Sequence, residues 1–278
     1  MAYQSLLVEI KQGVGVIWMN RPERQNALDE LMLEELAKAF QSLGNDPGVR
    51  VVVIAGAGDG FCVGTDMKIL QNLVKTSPDH HRDYAEALAS LLRTISSLSR
   101  PTIARVHGFA LNSGVGLAAA CDMAIGDYGA DFALNDVHWG LFPAIASGYL
   151  IKAMGERTFR NYSLTGEIFT AAEAYRTGLL TDIVPIEELD ARVNELIGKI
   201  MQGAPVAQAH LKEWIRKTSG VTPAAEMEHD GAALFAAACG ADEFKERIHD
   251  LAAPPKSRRS AKKEMTPAKK TGRKMKKG

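Results

Sequence analysis

The sequence has few cysteines, few aromatic residues, no long apolar run and no net charge, and each shortage narrows what the chain does. Cys62, Cys121 and Cys239 are the only cysteines among 278 residues and lie far apart. Neither a disulfide framework nor a metal-ligand spacing is present, and buried free thiols in a reducing compartment are the reading. No segment reaches membrane-spanning length, and the opening MAYQSLLVEIKQG has neither a signal-peptide pattern nor the Arg and Ser of a transit peptide. A cytoplasmic protein without a membrane span is expected. Phosphate-binding loops are missing too: no GxxxxGK(S/T) occurs, and GAGDGFCVG at 56–64 does not meet the spacing GxGxxG. No metal and no separate cofactor are implied.

What is present is a pair of glycine-rich loops, each after a buried-strand pattern. Thr102–Asp127, TIARVHGFALNSGVGLAAACDMAIGD, begins with an apolar run at Ile103–Val106 and enters a small-residue helix at Val115–Cys121 through Gly, Asn and Ser. Free amides and the positive helix end converge there, a place for a phosphate, a carboxylate or an oxyanion formed in reaction. Taken alone, the stretch reads first as a turn that lets a helix pack closely. The second loop follows Val51–Ala55 and runs Gly56 to Asp66. Two such loops are what a two-donor oxyanion hole requires, since a charged oxygen is best held from two directions.

Around these loops the apolar pattern is regular. Leu6–Ile10 and Val14–Met19 read as a hairpin, Asn20–Gln25 as a polar loop, and Ala27–Leu43 as an amphipathic helix ending at Gly44. Lys68–Arg82, polar and containing Pro78, His80 and His81, is expected to be irregular mobile surface. Asp83–Ser99 reads as a helix stopped by Pro101, and 187–201, 205–217 and 224–239 as further helices. Cys62 has no His or Asp close in sequence to activate it and reads as packing.

VVVIAGAGDGFCVGTDMK and VHGFALNSGVGLAAACD resemble the two signature segments of the enoyl-CoA hydratase/isomerase, or crotonase, superfamily. NRPERQNAL, FALNDVHWGLFP and LTGEIFTAAEAYRTGLLTDIVP add to the likeness, which covers Leu6 to Ile248. The resemblance implies an α/β crotonase-like spiral of ββα repeats over 1–251, with a C-terminal helical region that trimerises through about 200–251. It also implies an acyl-CoA thioester substrate, and assembly as a homotrimer or a dimer of trimers. Thr65 and Ser113 fall on the two positions whose amides hold the thioester oxygen, although Ser113 stands where glycine is usual and Asn112 also departs from the glycine run. Of the two carboxylates typical of the hydratases, the first position is Gly116 and the second is Asp136. Arg24, Ala27, Val63, Gly64, Asp66, Met67, Lys68, Gly114, Gly116 and Trp139 surround substrate in this frame, with Arg24 and Lys68 near the coenzyme A phosphates. Phe142 and Tyr149 are further candidates for the acyl pocket. His138 supplies a second acid or base if the chain around it is extended, since alternate side chains then share a face. Hydration of a 2-enoyl-CoA is the first expectation, ahead of a double-bond isomerase and an aryl acyl-CoA hydratase-lyase.

The zero net charge conceals a polarised chain. Residues 254–278 hold 11 Lys and Arg against one acid, Glu264, leaving 22 basic and 32 acidic residues in the rest. Such a tail, 252–278, is expected to be disordered and to contact polyanions non-specifically, because it lacks apolar residues to bury and aromatic residues to stack on bases. A weakened enzyme fold working through this tail as a nucleic-acid-binding module is the alternative of another class.

Overall fold

The computed structural model describes residues 3–218 and 225–252. A hairpin of β1 (Leu6–Lys11) and β2 (Val14–Met19) leads to α1 (Glu30–Asn45), followed by β3 (Val51–Gly56), α2 (Met67–Leu73) and α3 (Pro78–Ser97). β4 (Thr102–Val106), β5 (Phe109–Leu111) and α4 (Ser113–Ala120) form the next turn of chain. β6 (Met123–Asp127) and β7 (Asp131–Ala133) precede a 3-10 turn at Asn135–Trp139, then α5 (Ser147–Met154), α6 (Glu156–Thr165), β8 (Ile168–Thr170), α7 (Ala171–Thr177) and β9 (Asp182–Val184). Helices α8 (Leu189–Met201), α9 (Pro205–Thr218), α10 (Ala225–Gly240) and α11 (Asp242–Ala252) complete the described chain.

Successive turns of chain lay strands in two stacks. One sheet has the order β1-β2-β3-β4-β6-β9, parallel throughout except for the β1–β2 hairpin. The smaller sheet is β5-β7-β8, and the parallel bridge Cys62–Ala110 ties the β3–α2 loop to its first strand. The expected spiral with an α/β core is therefore the observed one. β3 is buried at all six positions, as its unbroken VVVIAG requires, because a central parallel strand is covered on both faces. Val52 and Ile54 join the main core with α1 and α3, whereas Val51 and Val53 face Leu189, Val193 and Ile197 of α8.

Three element boundaries differ from the sequence expectations. Lys68–Arg82 is largely helical: Asp66 caps α2 by accepting from Lys68 N at 2.8 Å, and Ser77 with Pro78 opens α3. The polar composition hid a cap and an N1 proline, residues that favour helix starts, and a buried imidazole. His81 is 2% exposed, with Nε2 2.6 Å from Leu73 O and Nδ1 3.3 Å from Ala236 O, so it ties α2, α3 and α10 together. α1 begins at Glu30 rather than Ala27, since Asp29 accepts from Met32 N and Leu28 bridges to Thr65. The helix then continues through Gly44 to Asn45. Of the expected disordered tail, 252–278, Ala252 is the last residue of α11 and residues 253–278 lie outside the described residues.

Candidate active site

The first loop is shaped to present one amide. Leu28 N donates to Gly64 O at 2.8 Å and Asp66 N to Leu28 O at 2.9 Å, so Leu28 grips the chain on either side of Thr65. Among the described residues Thr65 N has no acceptor in the protein. Beneath it Cys62 is packing, as expected: burial pushes its thiol up to about 12, and Sγ donates to Asn26 O. The second loop ends at Ser113, the first residue of α4, whose amide has no intrahelical acceptor by position. The loops meet at Gly64, φ +92°, where a Cβ would come 2.8 Å from Leu111 O and 3.2 Å from Ser113 N. Only glycine takes that φ and that approach together. Thr65 Oγ1 and Ser113 Oγ lie 3.3 Å apart. Two amides with no backbone acceptor among the described residues thus lie on adjoining loops, an arrangement suited to developing negative charge.

Both residues line a cavity of about 520 Å³ that also receives Asp136 and Trp139 from the 3-10 turn. Asp136 is half-buried, and its Oδ2 is sealed from solvent with no hydrogen-bond partner. Burial pushes its carboxyl up to about 6, against a lesser opposing effect of its own backbone amide. His138 is brought elsewhere. The 3-10 turn is not extended, so residues two apart do not share a face; the His138 ring reaches Thr165 O at 3.0 Å and lies against Gly166. Gly116 sits in the buried part of α4, where a Cβ would come 2.8 Å from the Cβ of Ala146. The space a first carboxylate would enter is closed by Ala146 rather than left open.

The remaining expected site residues divide into lining, scaffold and bystander. Arg24, Ala27, Val63, Asp66, Met67 and Phe142 line the cavity. Asp66 is 4% exposed and faces Arg24 at 3.9 Å and Arg21 at 3.7 Å, so it serves α2 and the loop as much as the cavity. Gly64, Gly114 and Gly116 shape the wall by close approach, and Lys68 is exposed on the first turn of α2 without lining it. Tyr149 is buried in the core and is not a cavity residue. Leu88, Ile145, Ala146 and Phe235 do line the cavity and were missed. Phe235 stacks near Tyr84, with ring centroids 6.3 Å apart, placing α10 over the pocket. No local motif marks it; an apolar position on a helix carries no record of what it covers.

The fold and this site define a crotonase-type spiral with paired loop amides and, in Asp136, a cavity carboxylate without an ion-pair partner among the described residues. The sequence profile of the enoyl-CoA hydratase/isomerase family matches residues 9–253, and the chain belongs to that family. It is 32% identical over 209 residues to a crotonyl-CoA hydratase of Syntrophomonas wolfei, covering 74% of this chain and 79% of that one. It is 28% identical over 223 residues to a hydroxycinnamoyl-CoA hydratase-lyase of Pseudomonas fluorescens, covering 79% and 81%. The crystal structure of an enoyl-CoA hydratase from Mycobacterium avium subsp. paratuberculosis superimposes with a TM-score of 0.80 at 28% identity, over 90% of this chain and 97% of that one. The chain is thus an acyl-CoA enzyme of the hydratase/isomerase type.

Proposed function

We propose that the protein hydrates a 2-enoyl-CoA thioester using Asp136 as its single acid/base group. The thioester oxygen sits between the amides of Thr65 and Ser113. Ionised Asp136 takes a proton from water as the water oxygen bonds to the β-carbon, and the displaced electron pair goes to the thioester oxygen as an enolate. Protonated Asp136 then returns a proton to the α-carbon. Each well-placed amide contributes about 3 kcal/mol to the barrier reduction.

The observation that carries this reading is the Asp136 carboxyl, raised to about 6 in the same cavity as the two amides. A group that must act first as base and then as acid works best with its pKa near the operating pH. The Syntrophomonas relative, a crotonyl-CoA hydratase, supports hydration, and the Pseudomonas hydratase-lyase supports an aryl enoyl-CoA as an alternative substrate. One specific observation favours a second reading. Ala146 lines the same cavity as Asp136 and packs against Gly116, and an apolar wall suits a carboxylate that shuttles one proton between carbons, as in a double-bond isomerase.

The test is mass spectrometry of crotonyl-CoA, a 3-enoyl-CoA and cinnamoyl-CoA incubated with the protein in D2O, wild type against Asp136→Asn. A mass gain of one water that needs Asp136 establishes the hydratase. A moved double bond or α-deuterium without added water establishes the isomerase instead. No change with any thioester in the wild type refutes both.

A further inference from the structure

Asn112 holds a backbone conformation that residues with a side chain rarely adopt, φ +49° with ψ −116°. Glycine takes such angles freely, whereas a side-chain-bearing residue persists there only when its surroundings hold it. What holds Asn112 is a set of bonds to three places. Its N–H donates to Ala133 O at 2.8 Å, and its carbonyl accepts from Gly116 N at 3.2 Å. Its side-chain Oδ1 accepts from Asn135 N at 2.8 Å.

That last bond closes a gap in the 3-10 turn that bears Asp136. Asn135 N–H is the first amide of the turn and has no acceptor within it by position. The residue in the capping position, Leu134, has no side-chain acceptor to offer. Asn112 supplies the cap from 23 residues upstream, while forming the backbone junction on which Ser113 N sits.

We propose that Asn112 is a positioning residue that clamps the Ser113 amide and the Asp136 turn into one rigid unit, and that its side-chain acceptor is why an asparagine occupies a glycine-like conformation. The inference rests on the reading of Ser113 and Asp136 given above. A clamp acts through the alignment of donor and carboxylate, so its loss falls on the chemical step more than on binding, because small misplacements of reacting groups are costly in rate.

The experiment compares Asn112→Ala, Asn112→Gly, Asn112→Asp and Asp136→Asn, with crotonyl-CoA and cinnamoyl-CoA as substrates and amide hydrogen exchange of the segment 134–139 as a readout independent of turnover. Alanine and glycine are both expected to lower kcat by about 10- to 100-fold with KM changed by less than about threefold, and to speed exchange in 134–139. Glycine is expected to melt above alanine, since both lose the bond but only glycine relieves the strained backbone. Aspartate keeps the acceptor and is expected to recover at least about a third of kcat above pH 8, with the acid limb displaced to higher pH by the added charge. A purely structural role predicts that kcat follows melting temperature, so Asn112→Gly turning over like the wild type while Asp136→Asn is inactive would overturn the clamp alone. Turnover surviving in Asp136→Asn would overturn the underlying reading and the clamp with it. Unchanged exchange in 134–139 for both alanine and glycine would also defeat the clamp.

Discussion

Asp136 is ionised at neutral pH at a cost, because burial raises its folded-state carboxyl to about 6 from an ordinary value near 3.8. The sign follows from that direction. A raised folded-state value gives a contribution to stability that is whole below about pH 4 and is lost as pH rises through about 6. Asp136→Asn is therefore expected to be more stable than the wild type at pH 7 to 8, by on the order of 1–3 kcal/mol, and equal to it near pH 4. Denaturant titrations at the two pH values check this. The same group as a base requires kcat/KM to rise with pH through about 6, a limb that Asp136→Asn removes along with turnover. Ser113→Ala separates amide from hydroxyl: the amide remains, and kcat is expected to stay within about threefold. A loss of 30-fold or more would assign the hydroxyl a direct bond to the oxyanion. At this scale the two glycine-rich loops leave local marks, whereas Thr65, Ser113 and Asp136 were singled out only through the family resemblance, because an isolated acid before a turn reads equally as a cap. The pairing of Asn112 with Asn135 was not, because two asparagines 23 residues apart carry no sign of facing each other.

At the scale of elements, the wall of the site is made by helices touching at small residues. α4 approaches α5 where Gly116 meets Ala146. A side chain at 116 must displace that contact, and Gly116→Ala is expected to destabilise the protein by about 1–3 kcal/mol. Adding Ala146→Gly is expected to restore most of the loss, which a double-mutant cycle in thermal unfolding measures. The cover of the site depends on His81, buried between Leu73 O of α2 and Ala236 O of α10. His81→Ala removes the imidazole from between the Leu73 and Ala236 carbonyls and is expected to cost about 1–3 kcal/mol. Since Phe235 lies on the same helix and lines the cavity, KM for the thioester is expected to rise while the kcat pH profile keeps its shape. The helicity of Lys68–Arg82 was hidden because a polar surface and a helix with one buried face share a composition. Ser77 followed by Pro78 was the signal present and unused.

At the scale of the whole molecule, charge is divided between a body with ten more acids than bases and a segment, 254–278, with ten more bases than acids. Deleting 254–278 is expected to leave kcat/KM within about twofold. It is also expected to abolish any salt-sensitive binding of DNA or heparin, since neutralised phosphates release counterions and make such binding fall steeply with salt. Retained binding after deletion would place it on the body. Leu164 and Ile168 are exposed at 69% and 66%. By resemblance we propose a trimer or a pair of trimers, which sedimentation equilibrium of the full chain distinguishes from a monomer.

The sequence by itself determined what is local: the buried strand β3 and the two glycine-rich amide loops. Each depends on residue type and short spacing, and those properties survive whatever the rest of the chain does; the roles of Gly116 and Asp136 came from the family resemblance. Only the tertiary structure decided that Ala146 closes the space beside Gly116, that His138 turns toward Thr165, that Phe235 covers the cavity and that Asn112 caps the turn of Asp136. Those outcomes depend on how helices and turns rotate against one another over tens of residues. Rotation is chosen by the packing of the whole core, which no short stretch of sequence contains.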